Sequence, residues 1–174
     1  PDTKFTAEAL RNCSMTVQVS TKLNRSHLVH GTQALILPCL GRTNIDIQNG
    51  EEQFVSVENS MGIVHSSKGP LPPPSDKLKS EVEIISELAD HTFVGKSAVD
   101  YIQLASHYDN IRDAIEATVP GFDNYNKRVR QAGGFYLPNG VRERVFNTDN
   151  SKANFSVNRM PEEELEEGQF FLMT

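Results

Sequence analysis

Apolar residues along this chain change their rhythm several times, and each rhythm predicts an element. Behind Thr6, a residue able to cap a helix, Ala7, Leu10 and Cys13 recur at helical spacing, so a short helix is predicted over "TAEALRNC". "MTVQVS", Met15 to Ser20, is compact and β-branched and reads as a buried strand. "NRSHLVHG" reads as a helical turn ended by Gly31. "ALILPC" reads as a second buried strand, with Pro38 at its end, where a missing N–H does least harm. Strand, short helix, strand is a βαβ pattern, which implies a parallel sheet with ligands at the carboxyl ends of its strands.

Further along, "EEQFVSVENSMGIVHSSKG" alternates around "ENSMG" and predicts a hairpin. "GPLPPPSDKLKS" reads as a stiff, extended linker. The helical stretch after it, "SDKLKSEVEIISELADHT", carries Val82, Ile85, Leu88 and Ala89 on one face. A second helical block, "SAVDYIQLASHYDNIRDAIEATV", breaks near Tyr108–Asp109 and offers Ile102, Leu104, Ile111, Ile115 and Val119 as core. "PGFDNYNKRVRQAGG" reads as a helix with a glycine stop. "GVRERVFNTDNSKANFSV" alternates and turns at "NTDNSK", and "PEEELEEG" is a charge run of the kind usually found on a solvated helix or linker. There is no internal repeat.

Composition narrows the functional classes. The 174 residues suffice for one domain with a proper core. A hydrophobic content of 37% and a mean hydropathy of -0.44 describe an ordinary globular protein on the polar side. The net charge of -6 leaves no basic surface to neutralise phosphate backbones, which argues against nucleic acid as a partner. No apolar run approaches the ~20 residues of a membrane span, and the start does not read as a signal peptide. The expectation is no membrane partner. The two cysteines, Cys13 and Cys39, form neither a disulfide framework nor a CxxC site, and a buried, reduced pair is expected, which fits a cytoplasmic location. Both ends look cut: the chain opens on Pro1 and closes on the strand-like "GQFFLMT", so an excised piece of a longer polypeptide is expected.

The candidate chemistry centres on "QALILPCLGRT", Gln33 to Thr43, where an apolar run stops abruptly at Pro-Cys-Leu-Gly-Arg. It can be a buried strand with a turn, a catalytic cysteine loop, or a strand opening onto a ligand. Cys39 as nucleophile needs a partnering histidine, and none of His27, His30, His65, His91 and His107 sits in a catalytic signature. A buried structural thiol is the better reading. His27 and His30 lie at i and i+3, yet no carboxylate or cysteine completes a metal site with them. "QAGGFYLPNG" has paired glycines but no phosphate-binding fingerprint. No catalytic residue and no metal ligand is assigned.

Four longer stretches say more: "VQVSTKLNRSHLVHGTQALILPCLGRTNID", "KLKSEVEIISELA", "RVFNTDNSKANF" and "GQFFLMT". In this order and spacing they resemble the large subunit of molybdopterin-dependent oxidoreductases, the formate dehydrogenase, nitrate reductase and dimethyl sulfoxide reductase group, and most of all its formate-dehydrogenase-alpha-like branch. The resemblance covers nearly the whole chain. It implies an α/β fold, with part of a Rossmann-like parallel sheet over residues 1–50, a hairpin and proline-rich linker over 51–75, and a helical, mixed α+β segment over 76–160. Residues 161–174 would be an acidic linker and the first strand of a following domain. The implied cofactor is bis-molybdopterin guanine dinucleotide carrying molybdenum or tungsten, with any 4Fe-4S cluster outside this stretch. The implied partners are that cofactor and the remaining domains of the same polypeptide.

By the same resemblance the carboxyl ends of the two strands line a crevice for one guanine dinucleotide arm. Ser20 and Thr21, followed by Lys22, match the polar pair after the first strand, although the family commonly has aspartate where Thr21 stands. Arg42 and Thr43 bring polar groups to the rim. Glu81 matches the acidic residue opening the helix, and its carboxylate suits guanine, whose N1–H and N2–H₂ stand side by side as donors. The family's E-R-R segment is absent from "VENSMGIVHSS", so no contact is assigned there. The rival expectation is a non-catalytic α/β interaction module that binds through its acidic tail and proline linker. In either case the chain alone is expected to be inactive.

Overall fold

The computed structural model describes residues 2–159, 165–170 and 172. The chain divides into two compact units, Pro1–Pro138 and Asn139–Thr174.

The first unit opens with helix α1, Thr3–Arg11, whose half-buried face carries Ala7 and Leu10 as the spacing predicts. The cap is not Thr6 but Asp2, whose carboxylate accepts from Phe5 N at 3.0 Å. A carboxylate there also complements the helix dipole. Strand β1, Met15–Ser20, runs parallel to β2, Gln33–Pro38, in the register Met15 to Gln33 through Ser20 to Pro38. The crossover is a single 3₁₀ turn, Arg25–Leu28, capped by Asn24 and fastened to β1 by Gln18 Nε2 donating to Ser26 O at 3.1 Å.

Gly31 does not end that turn, because Val29 is already extended. Its role is close approach: a Cβ there would lie 2.3 Å from the Cys13 carbonyl oxygen. The strands also differ from the expectation of burial. Met15, Val17, Leu35 and Ile36 are all exposed, because this sheet has two strands and nothing among the described residues covers these side chains.

Strands β3, Ile47–Gln48, and β4, Glu51–Glu52, form a tight hairpin through Asn49 and Gly50, both at positive φ. Strands β5, Val55–Glu58, and β6, Ile63–Ser67, form the predicted hairpin around "ENSMG". The proline-rich stretch then docks rather than floats. Ile45 N donates to Leu71 O at 2.7 Å and Leu71 N to Thr43 O at 3.0 Å.

Helix α2, Glu81–Thr92, starts later than its polar lead-in suggests, at Ser80, whose hydroxyl accepts from Glu83 N at 3.1 Å. Its apolar face is only partly used, since Ile85 and Leu88 are exposed. The second helical block breaks where predicted. Helix α3, Tyr101–Ser106, ends at an extended His107, and α4, Tyr108–Thr118, begins directly after it. Of the five apolar residues expected in its core, Leu104, Ile111 and Ile115 are half-buried while Ile102 and Val119 are exposed. The fully buried residues of the block are Ala105, Tyr108 and Arg112.

Helix α5 is one turn, Tyr125–Arg128, and the chain bends back at Gly134 into β7, Phe135–Tyr136, which completes the three-stranded sheet in the order β5-β6-β7. Against this sheet lies the core: Val64, Tyr125, Val129 and Phe135, flanked by Phe54, Ile115, Phe122 and Leu137. Tyr125 and Phe135 meet edge-on with ring centroids 5.7 Å apart, and Ser56 Oγ lies 2.6 Å from the Tyr125 hydroxyl.

The second unit contains helix α6, Gly140–Glu143, capped by Asn139. The predicted turn at "NTDNSK" is present, with Ser151 N donating to Thr148 O at 2.9 Å. The alternating residues on either side of it form no ladder among the described residues, so the strand reading of this stretch is corrected. Alternation alone gives a backbone no hydrogen-bond partner. Residues 161–164 of the acidic run, and Phe171, Met173 and Thr174 of the closing apolar run, lie outside the described residues. The fold is mixed α/β, with one parallel and two antiparallel sheets among the described residues. No helix among the described residues is long and apolar enough to cross a membrane.

Candidate functional site

The carboxyl end of the parallel pair is where the chemistry-bearing residues gather. β2 ends at Pro38, and Cys39 continues its direction by donating its N–H to Ser20 O at 3.3 Å. The next residue crosses to the lead-in of α2, with Leu40 N donating to Lys79 O at 2.9 Å. "GRTN" then folds on itself: Gly41 N donates to Asn44 Oδ1 at 2.9 Å and Asn44 N to Gly41 O at 3.0 Å. The docked linker seals the far side through the buried Gly69. A Cβ on Gly69 would lie 2.0 Å from the Thr43 carbonyl carbon, so only glycine fits.

These segments enclose a cavity of about 270 Å³, with Arg42, Asp46, Lys68, Ser80, Glu81 and Tyr108 in its wall. That is just under the ~300 Å³ at which drug-sized sites begin. It suits one base-sized group rather than a whole dinucleotide.

Of the residues predicted from sequence, Arg42 and Glu81 line this cavity together. Both are exposed at its mouth, and neither has an ion pair among the described residues. Glu81 is the first residue of α2, where a carboxylate complements the helix dipole. Ser20, Thr21, Lys22 and Thr43 lie beside the cavity without lining it. The Ser20 hydroxyl turns inward on its own loop, donating to Lys22 O at 2.7 Å. Thr21 faces Gly41, with its Cγ2 3.7 Å from where a Cβ on that glycine would stand. Thr43 serves through its backbone, as the acceptor for Leu71 N.

The floor contains what sequence reading missed. Tyr108 is 3% exposed, and its hydroxyl bonds both Asp46 Oδ2 and Ser80 Oγ, the latter at 2.7 Å. Buried Gln53 ties the same groups from behind: its N–H donates to Asp46 O at 2.8 Å and its Oε1 accepts from Tyr108 N at 2.9 Å. Burial, and then the bond to the Asp46 carboxylate, raise the Tyr108 phenol well above its ordinary range, so it stays protonated. One signal did point here. Ser80 and Glu83 have the spacing of a helix-start motif, S-x-x-E.

Of the two cysteines expected to be buried, Cys13 is exposed, just after the end of α1, while Cys39 is 5% exposed, and burial followed by the negative charge of Glu81 raises its thiol. A thiol held protonated is a poor nucleophile, as the structural reading expects. His27 Nδ1 accepts from Asn24 N at 3.0 Å and His30 Nδ1 contacts Gly31 O at 2.7 Å, so the two rings serve their own turns. No group of three or more potential ligands gathers among the described residues.

No family model matches the chain, and no solved structure matches it. Curated relatives do. Over its whole length, 175 aligned residues, the chain is 54% identical to proteins named only as uncharacterized oxidoreductases in Mycobacterium tuberculosis (strain ATCC 25618 / H37Rv) and Mycobacterium bovis. Over 159 residues, 91% of the chain, it is 42% identical to Protein YdeP of Escherichia coli (strain K12). The alignments cover 22% and 21% of those proteins, so the chain spans about a fifth of the length of the curated relatives it matches.

Proposed function

We propose that this chain is a cofactor-cradling part of a longer oxidoreductase, in which Glu81 receives the guanine of a pterin guanine dinucleotide arm. The observation that carries the reading is Glu81 itself. It is a carboxylate with no ion pair among the described residues, at the mouth of a base-sized cavity, just beyond the carboxyl ends of parallel strands. Open parallel sheets bind ligands at that end. Two adjacent N–H groups on guanine would meet the two oxygens of one carboxylate, a charge-assisted pair.

Arg42, on the same cavity wall, is placed to meet the anionic side of such an arm. Ser20, Thr21, Lys22 and Thr43 form the adjoining rim. The redox chemistry would reside in the molybdenum or tungsten that the bis-pterin cofactor carries, and this chain's residues bind and orient one arm of it. The names of the relatives support oxidoreduction in general. The place of the Glu81 carboxylate, in the cavity wall and outside every ion pair of the described residues, is what supports the guanine arm in particular.

The test is Glu81→Gln in the longer polypeptide. Glutamine keeps the size but turns one acceptor into a donor facing a donor, a loss of about 1–3 kcal/mol. At ~1.4 kcal/mol per tenfold, cofactor retention weakens roughly 5- to 150-fold. Molybdenum content after extensive dialysis should fall while the fold stays intact. Wild-type metal content in the variant would reduce Glu81 to a helix-start residue and remove the proposal's main support.

A further inference from the structure

We propose that Tyr108 and Asp46 are positioning residues, which hold Glu81 on its target through a polarised chain of hydroxyls ending at the Ser80 cap. The inference rests on the guanine reading of the cavity and adds to it residues that lie behind the first contact.

The direction of the chain follows from proton counting. An ionised Asp46 can only accept, so the Tyr108 hydroxyl, within bonding distance of Asp46 Oδ2, must donate to it. Tyr108 has one hydroxyl proton. At 2.7 Å from Ser80 Oγ it must therefore accept, and Ser80 must donate. That leaves the Ser80 oxygen free to accept from Glu83 N at 3.1 Å, which is the bond that starts α2. The relay thus runs from Ser80 to Tyr108 to Asp46, and each oxygen has its partner.

The Asp46 end and the middle of the relay are anchored. Asp46 Oδ1 accepts from Gln48 Nε2 at 2.9 Å, and Gln53 holds the Asp46 carbonyl and the Tyr108 N–H from behind. Glu81 follows Ser80 immediately, as the first residue of the helix. Whatever fixes the Ser80 side chain therefore fixes the backbone from which the Glu81 carboxylate reaches the cavity. A helix start without such a brace would let the backbone beneath Glu81 shift, and a ligand would have to select among its positions. A capping serine alone needs no buried tyrosine. The join across 62 residues, from Asp46 to Tyr108, is what distinguishes this arrangement from ordinary helix capping.

The experiment uses the longer polypeptide with its cofactor. Guanine nucleotide is released by acid hydrolysis after extensive dialysis and counted per protein, beside the melting temperature. Tyr108→Phe removes the donor to Asp46 and the acceptor for Ser80. It should lower retained guanine roughly 2- to 10-fold, less than the full worth of the bonds removed, because Tyr108 touches the ligand only through Glu81. Asp46→Asn, which removes the charge that polarises the relay but keeps an acceptor, should lower it in the same direction by less.

The decisive comparison is the double variant Tyr108→Phe, Glu81→Gln, which should retain as much guanine as Glu81→Gln alone, because Tyr108 acts through Glu81. Losses that multiply in the double variant would show that Tyr108 acts through the general fold and overturn the proposal. So would wild-type retention in Tyr108→Phe when Glu81→Gln has lost its guanine. If Tyr108→Phe does not fold, Asp46→Asn and its double variant with Glu81→Gln carry the same comparison. Wild-type retention in Glu81→Gln would instead overturn the guanine reading, and this inference with it.

Discussion

Two stretches of the first unit are equally apolar in sequence and opposite in fate. The parallel pair of β1 and β2 leaves Val17, Leu35 and Ile36 exposed, at 51%, 42% and 42%. The antiparallel sheet of β5, β6 and β7 buries Val64 and Phe135 to 3% and 7% under Tyr125 and Val129. The difference is one of layers rather than of strand propensity. Helix α5, with the residues around it, closes over β6 and β7, whereas nothing described closes over β1 and β2. Parallel strands are normally covered on both faces, which is why their sequences run apolar without alternation. "ALIL" has the unbroken apolar run of a strand covered on both faces, yet among the described residues it lies in a two-stranded sheet with Leu35 and Ile36 exposed.

The contrast predicts which substitutions matter. The largest expected effect is Phe135→Ala. Its ring meets Tyr125 and Phe122 edge-on, and the Arg128 guanidinium sits 3.9 Å from its centroid. Truncation in such a setting costs about 3–5 kcal/mol. Urea unfolding of the chain should show a loss of that size, and a change under about 1 kcal/mol would mean that this core does not hold the unit together.

A smaller loss is expected at Arg112, which is 3% exposed. Its guanidinium donates to Asn126 Oδ1 at 2.7 Å and to Phe54 O at 3.0 Å, bonds Asp109, and lies 4.0 Å from the centre of the Phe54 ring. Burial would raise the Asp109 carboxyl, but hydrogen bonds from Arg130 and Arg112 outweigh it and hold the carboxyl below its ordinary value. A depressed carboxyl gives stability that is complete above the unfolded value, about 4, and is lost as pH falls through the folded one. The chain should therefore weaken below about pH 4. Arg112→Met should cost about 1.5–3 kcal/mol at neutral pH, the worth of hydrogen bonds to a charged group, and should flatten that acid limb. Thermal melts of both proteins from pH 3 to 7 test this; parallel curves at every pH would assign the acid sensitivity to other groups.

These two regions also divide what could be read from the sequence. β1, the 3₁₀ turn and β2 were legible because they are contiguous and each obeys a local rule. The break between α3 and α4 was legible for the same reason, as was the hairpin around "ENSMG". The Asn49–Gly50 turn carried an equally clear signal that went unread. Burial was harder, because it depends on what covers a face. Ile85, Leu88 and Ile102 look like core by spacing and are exposed, while Arg112 looks like surface and is buried. At the site, Arg42 and Glu81 were singled out by the family resemblance, at a strand end and a helix start, and both line the cavity. Asp46, Gln53 and Tyr108 were not singled out, since the bonds that bring Tyr108 to Gln53 and Asp46 join residues 55 and 62 positions apart, and no local pattern encodes such a join.

The smallest expected effect is the most informative about the parallel pair. Leu35 stands opposite Val17 in the β1–β2 register, and both side chains face solvent in this chain. Leu35→Ala removes a side chain that is 42% exposed, so a good part of the lost apolar surface is in contact with water already. The change should stay within about 0.5 kcal/mol, as for other exposed substitutions. If further layers of the longer polypeptide cover this sheet, the same substitution there creates a cavity and costs about 2–5 kcal/mol. Measuring Leu35→Ala in both contexts by urea unfolding separates the two accounts. A several-fold difference means that the exposed leucines and valines of β1 and β2 are an interior face awaiting the rest of the protein. Equal small losses would leave that face in water in the whole protein too, and the parallel pair would then be a surface ribbon instead of the edge of a larger sheet.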